Sequence, residues 1–423
     1  MVSFLNGAWV ISIINIREVV VMQHVVPVRY LRMGDGAVGF RLKVYSAEFP
    51  AIREVGYVEK EAGPLRDVTE HFGGKLYASD PMAYKKMKEA GNNPLGTLED
   101  ALKLPFDFII DCTDSQIYYK EILPKLGVTV PIIGQGSLDA EKGDAFKISL
   151  SSLVNLSMVE DTDLMGKPGG IRKVSCNTTA ATRAIQALRE AYGLTYGPFI
   201  HHYEINLLRR TAEQGQKGQV DDVTFIADSH AQHHFRDIDM VFENTNHTGA
   251  SPKNQPTLGK SYAMQGCHTR GHIQDIRVYL SGMPLGENKP ESKAESKEAR
   301  VARQEAEIAR IFGESPRIAV MDGIDGLARA INYFSNLGRF KGDFPENVIV
   351  RGTIEYDPGT NSVRFTQIVD NVSIVVPENI DIMLKLGTGK PAGEVIKMVD
   401  QTLSLQVLPG FFKPGAVYRN DYR

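Results

Sequence analysis

A glycine-rich turn between a strand and a helix constrains the fold of this chain most. Residues 25–33 (VVPVRYLRM) are rich in β-branched and aromatic side chains and run directly into the turn Gly34-Asp35-Gly36-Ala37-Val38-Gly39. A helical pattern follows to Ala47, and a second strand over residues 53–58 ends at Glu59. This order of strand, glycine turn, helix, strand and terminal acid predicts a dinucleotide-binding unit of a doubly wound α/β sheet.

The glycines of this turn have distinct predicted roles. Gly34 permits the tight turn, Gly36 lets a pyrophosphate approach the backbone, and Gly39 allows the helix to pack closely on the strand. The other turn residues, Asp35, Ala37 and Val38, complete a site in which the phosphates sit on the helix N-terminus.

Glu59 and Lys60 bear on which dinucleotide binds. Glu59 lies 20 residues beyond Gly39, where a carboxylate can accept hydrogen bonds from the adenosine ribose hydroxyls. This position favours NAD. Lys60 is a cation that could serve the 2′-phosphate of NADP, so NADP stays open as the alternative cofactor.

A single cysteine lies just before a second strong helical pattern. Residues 178–192 carry apolar side chains at helical spacing, and they follow directly on Ser175-Cys176-Asn177. Serine, asparagine and threonine are helix-capping residues. A cysteine held there faces unpaired backbone N–H groups and the positive end of the helix dipole, which both favour the thiolate. Position alone leaves two readings open for Cys176, a nucleophile or a small buried side chain.

Composition excludes several classes of function. A chain of 423 residues predicts two or three domains, and its 48 basic and 51 acidic residues argue against a nucleic-acid or membrane-surface binder. The cysteines Cys112, Cys176 and Cys267 are odd in number and irregularly spaced. Neither a disulfide framework nor a metal site is therefore predicted, and a reducing cytoplasm fits.

The first 25 residues form an N-terminal extension. Residues 1–16 are largely apolar, but Arg17 and Glu18 interrupt the run short of a membrane span. The segment also lacks the basic start and the cleavage site of a signal peptide. We expect an extra strand or a poorly packed extension.

The second half of the chain has a different pattern. Residues 199–208, 272–280, 348–356 and 362–368 read as long strands with few helices between them. They predict an α+β catalytic domain with a large, mostly antiparallel sheet. The charged run over residues 286–312 ends in a helical pattern and reads as a solvated linker and a surface helix.

Four segments together resemble a known enzyme family. Val174-Ser175-Cys176-Asn177-Thr178-Thr179 resembles the active-site segment of glyceraldehyde-3-phosphate dehydrogenases of the archaeal type (type II). The glycine turn, the arginine pair in Leu208-Arg209-Arg210-Thr211-Ala212-Glu213, and the late turn of residues 376–381 (VPENID) are similar to other family segments. They occur in the family's order over about residues 26 to 405.

The resemblance implies a domain organisation. It assigns residues 26–173 to an NAD(P)-binding Rossmann domain, residues 174–376 to the catalytic domain, and residues 377–423 to C-terminal helices that return to the nucleotide domain. It also implies a homotetramer, and a chain start just before the first strand, for which Met22 is a candidate. Such enzymes act in glycolysis and gluconeogenesis.

The resemblance also implies the chemistry and the site residues. Cys176 would attack a phosphorylated aldehyde to give a thiohemiacetal and then a thioester, which inorganic phosphate resolves. Gly136 and Asn379 would add to the cofactor site. The remaining residues would bind the substrate or phosphate; they are Ser175, Asn177, Thr178, Arg209, Arg210, His233 and His234.

The general base is the position where the chain departs from the family. The family carries two histidines at alternate positions of this strand, and the second is catalytic. Here His272 matches the first, whereas Gln274 stands at the catalytic position and cannot act as a base at neutral pH. Because alternate residues share a face of a strand, we predict that His272 is the base.

Two other readings stay open. One is a sister enzyme of the same two-domain design, such as an aspartate-semialdehyde dehydrogenase, which also uses a cysteine and a histidine. The other is a dinucleotide-binding structural or regulatory protein that has lost the base. An assay with glyceraldehyde 3-phosphate, phosphate and each cofactor would separate the three.

Overall fold

The N-terminal extension contains a short hairpin. The computed structural model describes residues 2–5, 8–11, 27–113, 125–135, 146–160, 170–191, 200–211, 223–225, 233–243, 259–281 and 296–405. Strands β1 (Val2–Leu5) and β2 (Ala8–Ile11) pair antiparallel within the segment predicted as an extra strand or extension.

Among the helices in these ranges, none is long and apolar enough to cross a membrane.

The first half of the chain builds a parallel sheet of seven strands in the order β5-β4-β3-β6-β7-β9-β8. Every described pair in it is parallel. Its strands are β3 (Val28–Met33), β4 (Ile52–Glu59), β5 (Leu76–Ala78), β6 (Phe108–Asp111), β7 (Ile132–Gln135), β8 (Phe146–Leu150) and β9 (Gly170–Lys173).

Helices connect these strands. They are α1 (Ala37–Ser46), α2 (Pro64–His71), α3 (Pro81–Glu89), α4 (Leu98–Ala101) and α5 (Ser152–Asn155). Strand β6 is buried along its whole length, as expected for a parallel strand that is covered on both faces. The predicted Rossmann-type doubly wound sheet is confirmed.

The second half builds a mixed sheet in the order β11-β12-β10-β13-β17-β15-β14, with β16 paired to β17. Most described pairs are antiparallel; β10 with β12 and β14 with β15 are parallel. The strands are β10 (Ile200–Arg210), β11 (Thr224–Phe225), β12 (Gly259–Gly266), β13 (His272–Leu280), β14 (Ile318–Met321), β15 (Asn347–Val350), β16 (Glu355–Asp357) and β17 (Ser362–Val369). The predicted α+β second domain is confirmed.

One predicted strand is wrong in detail. Residues 348–356 were expected to form one strand, but β15 ends at Val350 and a short 3-10 turn over Arg351–Thr353 separates it from β16. Strand β15 pairs with β14 and with one end of β17, whereas β16 pairs with the other end of β17. The chain must bend to change partners, so the turn is required.

Helices cover the second sheet and return to the first. They are α6 (Cys176–Ala191), α7 (His233–Glu243), α8 (Lys297–Glu314), α9 (Leu327–Asn336), α10 (Val376–Thr388) and α11 (Ala392–Thr402). Helices α6, α7 and α8 share a core with β10, β13 and β17. Helices α10 and α11 contribute Ile380 and Val395 to the core of the first sheet, beside Val28 and Leu42.

A buried ion network joins helix α1 to the second sheet. Arg41 donates to Asp343, whose other carboxylate oxygen accepts from Arg270. Arg270 also binds Asp370 at 2.6 Å, at the end of β17. Charges that alternate in sign through a buried chain hold the nucleotide-binding turn against the second sheet, because breaking any pair leaves an uncompensated buried charge.

The glycine turn provides a test of close packing. A Cβ atom at Gly39 would lie 2.3 Å from the Gly34 carbonyl oxygen, whereas a Cβ at Gly36 would meet no heavy atom within 4 Å. We expect Gly39→Ala to lower the free energy of unfolding by about 1–3 kcal/mol, because the helix must move off the strand. Gly36→Ala, the matched control, should change it by less than about 1 kcal/mol. Urea denaturation of both variants measures this, and equal losses would contradict the packing role.

Candidate active site

Strand β9 delivers Cys176 to the start of helix α6. The helix begins at Cys176 itself, two residues earlier than the sequence predicts. The Ser175 hydroxyl accepts from the Thr178 N–H at 3.4 Å, and the Ser175 carbonyl accepts from the Thr179 N–H at 2.8 Å. Ser175 therefore caps the helix. Cys176 is half-buried in the first turn, where the helix dipole favours a negative charge.

A fully buried ion cluster lies beneath this turn. Lys173, the last residue of β9, binds Glu378 of helix α10 at 2.9 Å, and Arg183 of α6 binds the other oxygen of the same carboxylate at 2.9 Å. The Lys173 Nζ also donates to the Thr179 hydroxyl at 2.6 Å and to the Val174 carbonyl at 3.1 Å. Burial raises the pKa of Glu378, but the adjacent cations Lys173 and Arg183 outweigh it and hold that pKa below its usual range.

Gln274 contacts the residue after the cysteine. Its Nε2 donates to the Asn177 carbonyl at 3.0 Å and to the Asn177 Oδ1 at 2.9 Å. Its Oε1 accepts from Gln367 at 2.6 Å, and Gln367 in turn accepts from Asn347. This chain of buried amides fixes which way the Asn177 side chain points: its oxygen faces Gln274, so its amide N–H groups face away from that strand.

His272 lies on the same buried face of β13 as Gln274. Its Nδ1 accepts from the Arg210 N–H at 3.3 Å, which places the ring proton on Nε2 in the neutral form. Burial, followed by the charges of Arg209 and Arg210, holds the pKa of His272 well below its usual range. The imidazole is therefore neutral at physiological pH. That His272 is the general base stays a prediction. In that role the neutral ring must accept the substrate proton on Nδ1 or change its tautomer first.

The arginine pair ends strand β10 beside this histidine. Arg209 and Arg210 are half-buried and pair in register with Gln265 and Gly266 of β12. Their charges act on His272, and that of Arg210 also on His268, whose pKa burial already lowers. The end of β10 therefore lies with His268 and His272 in a region of positive electrostatic potential, which favours the binding of an anion.

His234 approaches the cysteine turn from helix α7. Its Nδ1 lies 3.5 Å from the Ser175 hydroxyl, and the ring is buried. His233 is the first residue of α7, but its side chain lies outside the part of the chain that the structure describes. His234 therefore places an imidazole beside Ser175, the residue before Cys176.

The glycine turn has the geometry expected of the fingerprint. Gly34 has a φ of +85°, in the left-handed region that favours glycine, and Gly36 is exposed with open space above it. Ala37 and Val38 open helix α1. Because Gly36 is exposed and has no Cβ atom, the start of helix α1 leaves room for a pyrophosphate.

Glu59 is already engaged in hydrogen bonds at the carboxyl end of β4. Its Oε2 accepts from the Asp35 N–H at 2.8 Å, and its Oε1 accepts from the Lys60 N–H at 2.8 Å. The same carboxylate has longer contacts with the Glu61 N–H and with the Arg66 guanidinium, each at 3.4 Å, so ribose hydroxyls would share or replace these two contacts. Lys60 is exposed beside it.

The Asp35 side chain points away from the space above the glycine turn. The carboxylate is buried and accepts from Arg32 at 2.9 Å, Arg66 at 2.7 Å and Thr69 at 2.6 Å. It therefore holds helix α2 and strand β3 together under the turn. Any contact of Asp35 with a cofactor would be through the backbone.

The nucleotide turn and the cysteine meet at one small cluster. Val38 of α1 and Cys176 of α6 both pack against the buried residues Ala180, Val369, Ile374 and Val375. The two motifs, separate in sequence, are thus neighbours in space.

Helix α10 contributes a further contact at this junction. Asn379 accepts from Gln135 at 2.5 Å and donates to the Val375 carbonyl, so it anchors the end of β7. Gly136, the next residue and a predicted cofactor contact, lies outside the described residues.

The other cysteines have different surroundings. Cys112 packs against the core of the first sheet, and burial raises the pKa of its thiol to about 12. Cys267 is exposed between β12 and β13. Cys176 alone among the three opens a capped helix.

Several important residues escape sequence reasoning. Lys173 and Arg183 read as ordinary strand and helix residues, and only their burial against Glu378 shows their role. Gln274 reads as a lost base, yet it holds Asn177. The one available signal is that Lys173 is a charged residue at the end of the short strand leading to the cysteine.

The sequence is similar to curated archaeal glyceraldehyde-3-phosphate dehydrogenases. That of Pyrobaculum calidifontis is 28% identical over 386 residues, which are 88% of this chain and 96% of the relative. Those of Pyrobaculum arsenaticum (27% over 345 residues, 79% and 84%) and Halobacterium salinarum (25% over 377 residues, 88% and 98%) are similar. No family model matches the chain. The resemblance stated from the motifs is confirmed at this level of identity.

Solved structures share the two-domain fold. Aspartate semialdehyde dehydrogenase with NADP from Candida albicans has a TM-score of 0.55 at 11% identity, covering 90% of this chain and 99% of that chain. Aspartate semialdehyde dehydrogenase II from Vibrio cholerae has a TM-score of 0.52 at 11% identity, covering 85% and 98%. At such identities the likeness is one of fold.

The buried His272 predicts a pH dependence of stability. In the unfolded chain a histidine takes up a proton below about pH 6.5, whereas folded His272 resists protonation until well below that value. His272 therefore does not lower the free energy of unfolding above about pH 6.5. Below that pH it lowers the free energy of unfolding by up to about 1.4 kcal/mol per pH unit. We expect His272→Gln to reduce this loss and His201→Gln, which removes an exposed imidazole of β10, to leave it unchanged. Unfolding followed as a function of pH tests this, and parallel curves for wild type and His272→Gln would contradict it.

Proposed function

We propose that this protein is an NAD(P)-dependent dehydrogenase that oxidises glyceraldehyde 3-phosphate to 1,3-bisphosphoglycerate through Cys176, or runs the reverse reaction. An oxidoreductase acting on aldehydes is supported by the names of its relatives and by the fold. The specific reaction is supported by the four motif segments and by the phosphate-suited arginine pair. We propose in addition a cytoplasmic homotetramer, which rests on the resemblance.

One observation carries the proposal most. The helix that begins at Cys176 and the helix that begins at the glycine turn pack on the same apolar cluster, with Cys176 and Val38 at its edge. A nucleophile and a dinucleotide-binding turn need this proximity, because the reacting carbon must reach both.

The nucleophilic step follows from the surroundings of Cys176. Its thiolate attacks the aldehyde carbon and forms a thiohemiacetal. Asn177, whose amide N–H groups face away from Gln274, is suited to stabilise the developing oxyanion. Loss of the hydroxyl proton and of a hydride then leaves a thioester on Cys176, and inorganic phosphate attacks it to release the acyl phosphate.

The residues around the glycine turn fit a dinucleotide. Gly36 is exposed with open space above it, and ribose hydroxyls would share or replace the longer contacts that Glu59 makes with Glu61 and Arg66. The residues proposed to hold it are Gly34, Asp35, Gly36, Ala37, Val38, Gly39, Glu59, Lys60, Gly136 and Asn379. When bound, NAD(P) supplies the hydride acceptor for the reaction. Glu59 favours NAD, with NADP possible through Lys60.

The phosphate groups would lie near the ends of β10 and β13. Arg209 and Arg210 present cationic donors there, and their charges already act on His272. Ser175, Thr178, His233 and His234 complete the proposed substrate and phosphate site. Because the neutral His272 adds no charge of its own, the arginines set the positive potential.

The identity of the aldehyde has one specific rival. The solved structures of similar fold are semialdehyde dehydrogenases, and Gln274 replaces the histidine expected from the resemblance. A related semialdehyde or another phosphorylated aldehyde is therefore the alternative substrate. A dinucleotide-binding protein without catalysis is the remaining alternative, and activity of any kind excludes it.

The proposed reaction is tested by steady-state kinetics with glyceraldehyde 3-phosphate, aspartate semialdehyde, phosphate, NAD and NADP. We expect phosphate-dependent oxidation of glyceraldehyde 3-phosphate that Cys176→Ser abolishes, because serine is a far weaker nucleophile. Dinucleotide binding, followed by fluorescence, should persist in the variant. Cys112→Ser is the control and should retain activity, since Cys112 is a packing residue. Turnover of the semialdehyde alone would move the assignment to the sister enzymes.

The base is tested by comparing two histidines. General-base catalysis is worth about 10²–10⁴-fold, so His272→Asn should lower kcat by roughly that factor, whereas His234→Asn should mainly raise the KM for phosphate or substrate. Pre-steady-state hydride transfer separates the two effects. If His234→Asn instead loses the chemical step and His272→Asn keeps it, the base is His234, which approaches Ser175.

A further inference from the structure

Lys173 has an unusual position for a lysine. It is the last residue of β9, it is fully buried, and its side chain lies under the turn that presents Cys176. Lysine is almost never fully buried without a partner. The mechanism proposed above does not use it.

The hydrogen bonds of Lys173 show which charge state it has. An ammonium group has three N–H donors, and three acceptors surround it: Val174 O, Thr179 Oγ1 and Glu378 Oε2. Burial lowers the pKa of Lys173 below its usual value, and the charge of Glu378 offsets this only in part. Because all three contacts are acceptors and one is a carboxylate, the group is held as a cation.

The same hydrogen bonds shape the cysteine turn. Val174 precedes the cap residue Ser175, and Thr179 lies one helical turn beyond it, so the ammonium ties the two sides of the turn together. The Thr179 hydroxyl also donates to the Val174 carbonyl at 3.4 Å. Cys176 is enclosed between these anchors.

The charges around the turn do not balance locally. Lys173 and Arg183 share the single carboxylate of Glu378, which leaves one surplus positive charge next to the turn. Farther along, Arg317 shares Asp381 and Asp400, which leaves one surplus negative charge at the far end of the buried network. The positive end therefore faces Cys176, whose charge acts on Lys173.

Among the described residues, apolar side chains also surround Cys176. The side chains that pack around it from α1, β17 and the segment before α10 are Val38, Val369, Ile374 and Val375. From α7, the His234 Nδ1 lies 3.5 Å from the Ser175 hydroxyl. A buried cation under an apolar pocket exerts a strong effect, because little water screens it.

We propose that Lys173 is a positioning residue whose ammonium group holds the Ser175–Cys176 turn and supplies the positive charge that stabilises the Cys176 thiolate. This inference rests on the proposed function, in which Cys176 is the nucleophile. It accounts for how the chain keeps a reactive thiolate although a glutamine, Gln274, faces the turn in place of a histidine.

The test is the pH dependence of Cys176 alkylation by iodoacetamide, with the labelled residue identified by mass spectrometry of peptides. Removing a cation close to a thiolate raises the midpoint of the alkylation curve by about one to three pH units, so we expect this for Lys173→Met. Lys173→Arg retains the charge and should largely retain the midpoint.

Arg183→Met is the matched control. It also removes one cation from Glu378 and destabilises the same cluster, but Arg183 donates to the Pro345 and Ile374 carbonyls, whereas Lys173 donates to Val174 and Thr179 of the cysteine turn. Its alkylation midpoint should move much less. Equal midpoints for Lys173→Met and wild type, or equal shifts in Lys173→Met and Arg183→Met, would overturn the proposal.

A second variant covers loss of folding. If Lys173→Met does not fold, as judged by circular dichroism, Lys173→Gln keeps amide donors for Val174 and Thr179 without the charge and should show the same rise. The outcomes also separate the two proposals. Selective labelling of Cys176 with an unchanged midpoint in the Lys173 variants removes only the role of Lys173. No selective labelling of Cys176 in the wild type overturns the proposed function as well.

Discussion

Glu378 is the buried carboxylate on which the arrangement of the site depends. It accepts from the Ser152 N–H of α5, from Lys173 of β9 and from Arg183 of α6, while its own helix α10 packs on the first sheet. One side chain thus connects both halves of the molecule. Removing one partner of a buried ion pair costs about 3–5 kcal/mol, because the remaining charge is left uncompensated. The position of Cys176 depends on this anchor, since Lys173 ties Glu378 to the cysteine turn.

Around this anchor, polar groups of two kinds surround the start of α6. Charged groups lie beneath it, where Lys173 and Arg183 meet Glu378, and neutral amides lie beside it, where Gln274 and Gln367 lead to Asn347. The two sets join through Arg183, which donates to the Asn347 Oδ1 at 3.4 Å. Cys176 therefore sits on a rigid support, and rigid support is what a site needs to hold reacting groups in place.

His272 differs from the cationic groups of the site in its charge state. His272 is kept neutral by burial and by the arginine charges, so positive charge near the proposed substrate site comes from groups that do not titrate at physiological pH. If Arg209 and Arg210 bind the phosphate and Lys173 stabilises the thiolate, the neutral imidazole of His272 is available to accept a proton. Such a division separates binding from acid–base chemistry, as catalytic sites often require.

The sequence by itself determined the fold class and the two central motifs. Gly34 and Gly39 signal the first sheet and Ser175 signals the start of α6, because turns, caps and periodicity are encoded by neighbouring residues. Only the tertiary structure decided that Gln274 holds Asn177, 97 residues away, and that Arg183 pairs with Glu378, 195 residues away. It also decided that the Asp35 carboxylate points into the core and that the strand after Asn347 breaks at Val350. These features depend on which distant segments pack together, and local patterns carry no information about the partner of a buried charge.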